Sequence, residues 1–203
     1  MPEDEPLLAA RRNAAEIGGA IPVRPVTGAA LRFLAAAIGA RSVVEIGTGC
    51  GCSGIWLIRG MSTGSVLTSV DVEPEHQRLA RAAYVEAGFA SSRYRLISGR
   101  ALEVLPRLAD GAYDMVFCDA DTQEYPEYLL AALRLLRPGG IVAFDSALRA
   151  DRVADSLLGD PVPVKAEAAA VVEVREQVRT DERLVPLLLP IGDGLLLAVK
   201  RPL

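Results

Sequence analysis

Four acidic residues stand in or just after apolar runs of this 203-residue chain: Glu45 within 42–46, Asp71 after 65–70, Asp119 after 113–118 and Asp145 after 141–144. If the runs are parallel strands, ligands bind outside their carboxyl ends, and the four carboxylates gather along one rim. A single strand-end Asp often does no more than cap a helix. Four in register is more than capping requires. Carboxylates so placed can accept from ribose hydroxyls, hold an ammonium or a metal ion, or take a proton.

The first acid leads into Gly47, Gly49, Gly51 and Gly54, four glycines in eight positions, followed by an apolar segment from Ile55. This reads as a buried strand, a tight turn and a helix start. Glycine tolerates positive φ and lets a ligand approach the main chain. Residues 49–54 are a literal G-x-G-x-x-G, and Asp71 lies 17 positions after Gly54. Both suit a nicotinamide dinucleotide. S-adenosylmethionine fits better. It has no pyrophosphate, its ribose can bond Asp71, and its cationic centre suits an acidic rim. On that reading the backbone at Gly47, Thr48 and Gly49 approaches the ligand. Residues 98–101 meet the adenine edge, and Asp119 and Asp121 flank the transferring methyl.

The surrounding elements must hold these residues in place. Residues 7–17 form an amphipathic helix ended by Gly18 and Gly19. Pro22 and Pro25 make 21–25 extended, and Thr27 caps a helix over 28–38. Strands at 42–46, 65–70, 93–97, 113–118 and 141–144 then alternate with helices at 52–61, 74–87, 101–109 and 124–136. A helix at 166–180 precedes strands at 184–190 and 195–199. The alternation predicts an α/β, doubly wound and mostly parallel sheet with helices on both faces. Gly192, Asp193 and Gly194 are too short for a crossover, so the last two strands form an antiparallel hairpin. Residues 146–164, with Pro161 and Pro163, read as a mobile loop near the site.

Composition narrows the class. The chain is 51% hydrophobic, enough for a sizeable core, and carries a net charge of −4. That charge argues against a nucleic-acid partner. No apolar run is long enough to span a membrane and no signal peptide is seen, so the expectation is a cytoplasmic protein. Cys50, Cys52 and Cys118 are an odd, sparse set that predicts no disulfide framework. They read as small apolar fillers rather than metal ligands, since there is no second Cys pair and His76 is the one histidine. His76 falls on the ribose side in the first turn of a helix and reads as solvated.

Four stretches occur in one order: Val44-Glu45-Ile46-Gly47-Thr48-Gly49, Val70-Asp71 with Pro74-Glu75, Tyr113 to Asp121, and Leu189-Pro190-Ile191-Gly192-Asp193-Gly194. Together they resemble the class I S-adenosylmethionine-dependent O-methyltransferases of the caffeoyl-CoA and catechol type. The likeness runs from about Val23 to Lys200. It implies a Rossmann-like sheet of seven strands with the last antiparallel, one domain over 1–203 with 1–38 as a helical cap, and a homodimer acting on a small-molecule acceptor. It implies cofactor contacts at Val23, Glu45, Gly47, Thr48, Gly49, Ser53, Asp71, Val72, Ala101, Asp119 and Asp121. It also places Asp119 and Tyr128 near the acceptor. Trp56 reads as core.

The chain departs from that family at two positions. The family holds a divalent ion, Mg²⁺ by its hard oxygen chemistry, with the counterpart of Asp119 and an Asp-Asn pair. Here the pair is Asp145-Ser146, and the family's Lys after Asp121 is Thr122. Asp119 and Asp145 are then the remaining candidate metal ligands. They are equally the candidate bases if no metal is held.

Overall fold

In the computed structural model, which describes residues 2–148 and 166–202, the apolar run Ser42–Ile46 is β1, near the middle of a seven-stranded sheet. The other strands are β2 (Val66–Asp71), β3 (Tyr94–Ser98), β4 (Tyr113–Cys118), β5 (Leu136–Phe144), β6 (Leu184–Leu189) and β7 (Leu195–Lys200). Their order is β3-β2-β1-β4-β5-β7-β6. β1 to β5 pair in parallel, and β7 runs antiparallel to both β5 and β6. The predicted hairpin is therefore present.

Helices cover both faces: α1 (Glu5–Ile17), α2 (Pro25–Ala37), α3 (Cys52–Gly60), α4 (Pro74–Glu86), α5 (Ala101–Val104), α6 (Tyr125–Leu135) and α7 (Ala166–Thr180). Side chains alternate across a strand, so each strand feeds two cores. Val44 and Ile46 of β1 pack with α5, α6 and α7, whereas Val43 packs with α1 to α4. The same alternation sends Glu45 toward the α3 and α4 side. Trp56 lies in that second core, as expected.

Three boundaries differ from the sequence reading. Pro25 opens α2 instead of barring it, because the first helical N–H has no intrahelical partner to lose. Thr27 is thus inside α2, and no side chain caps this helix. The helix expected over 101–109 stops at Val104 and becomes a 3₁₀ turn, Leu105–Arg107, at Pro106. β5 begins at Leu136 and runs through Arg137-Pro138-Gly139-Gly140. Its pairing with β4 shifts between Tyr113 and Met115, where the Asp114 carboxylate accepts from Arg137 Nε at 2.6 Å. The loop expected at 146–164 lies outside the described residues from 149 onward.

Candidate active site

The carboxyl ends of β1, β2, β4 and β5 open onto a cleft of about 410 Å³. Val23, Gly47, Thr48, Gly49, Ser53, Asp71, Val72, Ala101, Asp119 and Asp121 all line it. So do Tyr128 and Asp145. Of the expected contacts only Glu45 is off its wall. It is fully buried beneath the glycine turn.

The turn is shaped by close approach. Gly47 has φ +98°, and a Cβ there would lie 2.2 Å from the Asp119 carbonyl oxygen. Gly54 opens α3 so tightly that a Cβ would meet Tyr84 Oη at 1.9 Å. The Asp71 carboxylate then joins β2 to the turn. It accepts the Gly49 N–H at 2.9 Å on Oδ2 and the Glu73 N–H at 2.9 Å on Oδ1. His76 is buried, not solvated, with Nδ1 3.5 Å from Asp71 Oδ1. Its place in the first turn of α4 aims the ring back at the end of β2.

Among the described residues, Glu45 is held by hydroxyls alone. Ser53 Oγ donates to Oε1 at 2.6 Å, and Ser69 Oγ donates to Oε2 at 2.5 Å. Ser69 Oγ is also 2.7 Å from Thr48 Oγ1. Burial pushes the Glu45 carboxyl up to about 7, against the pull of the two serines. Ser69 is absent from the sequence reading. Its signal was a polar side chain inside a buried strand, and the sheet register sets it opposite Glu45.

The far end of the cleft is different. Burial, then the charges of Asp145, Glu45 and Asp193, hold the Asp119 carboxyl well above the usual carboxylate range. Burial also raises Asp145, to about 6, aided by Asp193 and opposed by the Ser146 N–H and by Arg24. Asp145 Oδ1 is buried with no hydrogen-bond partner among the described residues. Tyr125 Oη, from α6, donates to the Asp145 carbonyl at 3.1 Å and fixes the strand end. Tyr128 Oη donates to Glu124 at 2.6 Å. Arg24 and Asp193, 3.6 Å apart, complete the wall. Neither was singled out as a site residue, because only the hairpin's return beside β5 brings Asp193 to the rim.

Ser146 stands at φ +60°, a left-handed conformation in which Asn is better tolerated. A metal site built on this wall would need oxygen donors beyond the two carboxylates. Among the described residues no group of three or more His, Cys, Asp or Glu side chains is arranged to hold an ion. Ser146 adds only a neutral hydroxyl, so the donor set falls short of the three-residue site the resemblance implied. Cys50 and Cys52 are buried thiols, and burial pushes Cys52 up to about 12, which suits apolar filling.

A glycine turn under an acid at the end of β2, on a sheet closed by an antiparallel strand, defines an α/β domain of the methyltransferase type. Comparison with known proteins agrees. The O-methyltransferase family model matches residues 4–201. A protein of Mycobacterium ulcerans (strain Agy99), assigned by name as an O-methyltransferase, is 50% identical over 199 residues, 98% of this chain and 86% of its own. The O-methyltransferase TomG of Streptomyces achromogenes, solved with S-adenosylmethionine, superposes with a TM-score of 0.87 at 29% identity, covering 99% of this chain and 92% of that one. An O-methyltransferase of Bacillus cereus, solved with S-adenosylhomocysteine, gives a TM-score of 0.85 at 29% identity, over 99% and 93%. The chain belongs to the O-methyltransferase family. That membership sets aside the nicotinamide alternative left open by the glycine spacing. Among the described residues no helix is long and apolar enough to cross a membrane.

Proposed function

We propose that the protein transfers a methyl group from S-adenosylmethionine to a hydroxyl of a small molecule, a hydroxylated aromatic or similar, with Asp145 as the base. The observation that carries this is Asp145 Oδ1: buried, without a donor among the described residues, and in the same cleft as Thr48, Ser53 and Asp71. An unpaired buried carboxylate oxygen is costly unless a ligand satisfies it. An acceptor hydroxyl is such a donor.

S-adenosylmethionine, when bound, supplies a methyl carbon already activated by its sulfonium. The chain's own residues do the rest. Asp71 accepts from the ribose hydroxyls with the lone pairs that Gly49 and Glu73 leave free. Gly47 and Gly49 bring the backbone close to the amino-acid tail. Asp119 and Asp121 border the methyl, and Tyr128 packs beside the acceptor. Asp145 Oδ1 takes the hydroxyl proton as the acceptor oxygen attacks the methyl carbon and the carbon–sulfur bond breaks, its electron pair staying on sulfur. Alignment and exclusion of water supply most of the acceleration. No step runs through a metal. We place the enzyme in the cytoplasm as a homodimer, with 1–38 capping a single domain.

The test is Asp145→Asn, assayed with S-adenosylmethionine and a catechol acceptor, with EDTA and with added Mg²⁺. The variant is expected to lose about 100-fold or more in kcat while binding S-adenosylhomocysteine as the wild type does. EDTA and Mg²⁺ are expected to change little. Full activity in the variant would remove Asp145 as base. Loss of wild-type activity in EDTA, restored by Mg²⁺, would return both acids to metal ligation.

A further inference from the structure

Among the described residues, two arginines line the cleft: Arg24 at the start of α2 and Arg100 after β3. Their heads are used differently. Arg100 Nη2 donates to Glu124 Oε1 at 2.8 Å, and the other Glu124 oxygen accepts from Tyr128. The Arg24 side chain is 65% exposed and makes no hydrogen bond among the described residues. Its charge contact is with Asp193 at 3.6 Å, beyond hydrogen-bond length.

The rest of Arg24 is fixed. The Val23 carbonyl accepts from Arg11 Nη2 at 2.6 Å, which ties the preceding backbone to α1. Pro25 opens α2 directly after it. The stem lies against the β6–β7 hairpin, where a Cβ on Gly192 would stand 3.4 Å from both Arg24 Cβ and Cγ. An arginine with a packed stem and an open fork is preorganised for a planar anion, held by two parallel N–H bonds. The 13-residue helix α2 has no side-chain cap, so its positive end adds to the charge at Arg24.

The neighbour of this fork is Asp145. Burial raises its carboxyl, with Asp193 adding to the rise, and the Ser146 N–H and Arg24 oppose it. Guanidinium and carboxyl are therefore within electrostatic reach on one wall of the cleft. Asp145 Oδ1, buried and unpartnered among the described residues, calls for a donor. The Arg24 fork calls for an acceptor. A ligand that meets both carries a hydroxyl and an anionic group on one rigid frame.

We propose that Arg24 sets acceptor specificity: its guanidinium holds a carboxylate of the acceptor while the acceptor hydroxyl lies on Asp145 Oδ1, so the substrate class is a hydroxylated aromatic acid and not a neutral phenol. This rests on the hydroxyl-methylation reading above and deepens it; the bonds made and broken are those already given. The acceptor carboxylate competes with Asp193 because it offers two hydrogen bonds in place of a 3.6 Å contact.

The test compares two acceptors that differ only by a carboxylate, 3,4-dihydroxybenzoate and catechol. Both are assayed with the full chain and S-adenosylmethionine at about pH 8, above the Asp145 value of about 6, so that the base stays ionised in every variant. The wild type is expected to favour 3,4-dihydroxybenzoate about tenfold or more in kcat/KM. Arg24→Gln should raise KM for 3,4-dihydroxybenzoate about tenfold or more, with kcat within about twofold, and change kcat/KM for catechol less than about threefold. Arg24→Lys, which keeps the charge and loses the fork, should fall between the two. Equal losses on both acceptors would make Arg24 only a counter-charge to Asp145 and Asp193. That result, or a wild type indifferent to the carboxylate, overturns the inference and leaves hydroxyl methylation standing. A wild type that methylates neither acceptor overturns both.

Discussion

At the glycine-turn end of the cleft, both oxygens of Glu45 and both oxygens of Asp71 have a protein donor. At the far end, Asp145 Oδ1 has none among the described residues, Asp119 and Asp145 face the like charge of Asp193, and Ser146 sits in a left-handed conformation. The first end is built before its ligand arrives. The second keeps an unsatisfied buried oxygen and backbone strain, features that collect where ligands or chemistry supply the missing partner. One end is complete within the protein, and the other leaves a buried oxygen for a partner from outside it.

The contrast can be tested at each end. The largest effect is expected at Gly47, where a Cβ would lie 2.2 Å from the Asp119 backbone at positive φ. Gly47→Ala should cost about 4 kcal/mol in denaturant unfolding, because backbone rather than a flexible side chain is in the way. A loss under about 1 kcal/mol would mean that the turn is soft and not preformed.

Glu45 should show a pH signature of intermediate size. Its ordinary value of 4.5 is raised to about 7 on folding. The folded state therefore binds the proton more tightly than the unfolded chain does. The stability it contributes is fully present below pH 4.5 and is lost as pH rises through 7. The wild type minus Glu45→Gln difference should fall by on the order of 3 kcal/mol across that window and stay flat above it. Urea unfolding at a series of pH values measures this, and a flat difference would place the Glu45 carboxyl near its ordinary range.

The smallest effect is expected at the acceptor end. Ser146→Asn puts a residue that tolerates φ +60° where serine now stands. It should raise stability by about 0.5 kcal/mol, with cofactor affinity unchanged. A gain in cofactor affinity would mean that the two ends are coupled.

Much of this was legible in order along the chain. The alternation of apolar strands with helices led to the parallel sheet, and the short Gly192-Asp193-Gly194 link required the antiparallel hairpin. Asp71, Asp119 and Asp145 were placed at the rim because a strand's end is a position in sequence. Pro25 misled, since proline is forbidden inside a helix yet favoured at its first turn, and sequence does not say which turn begins there. His76 was read as solvated because nothing local shows that the start of α4 folds back on Asp71.

What sequence by itself determined is the set of elements, their direction and the acids that end them, because each depends on neighbours a few residues away. Tertiary structure alone decided the partners. Ser69 meets Glu45 through the register of β1 on β2, Asp193 reaches Asp145 through the return of β7 beside β5, and Glu45 drops below the cleft floor by strand alternation. These are contacts between segments distant in the chain, set by packing and pairing.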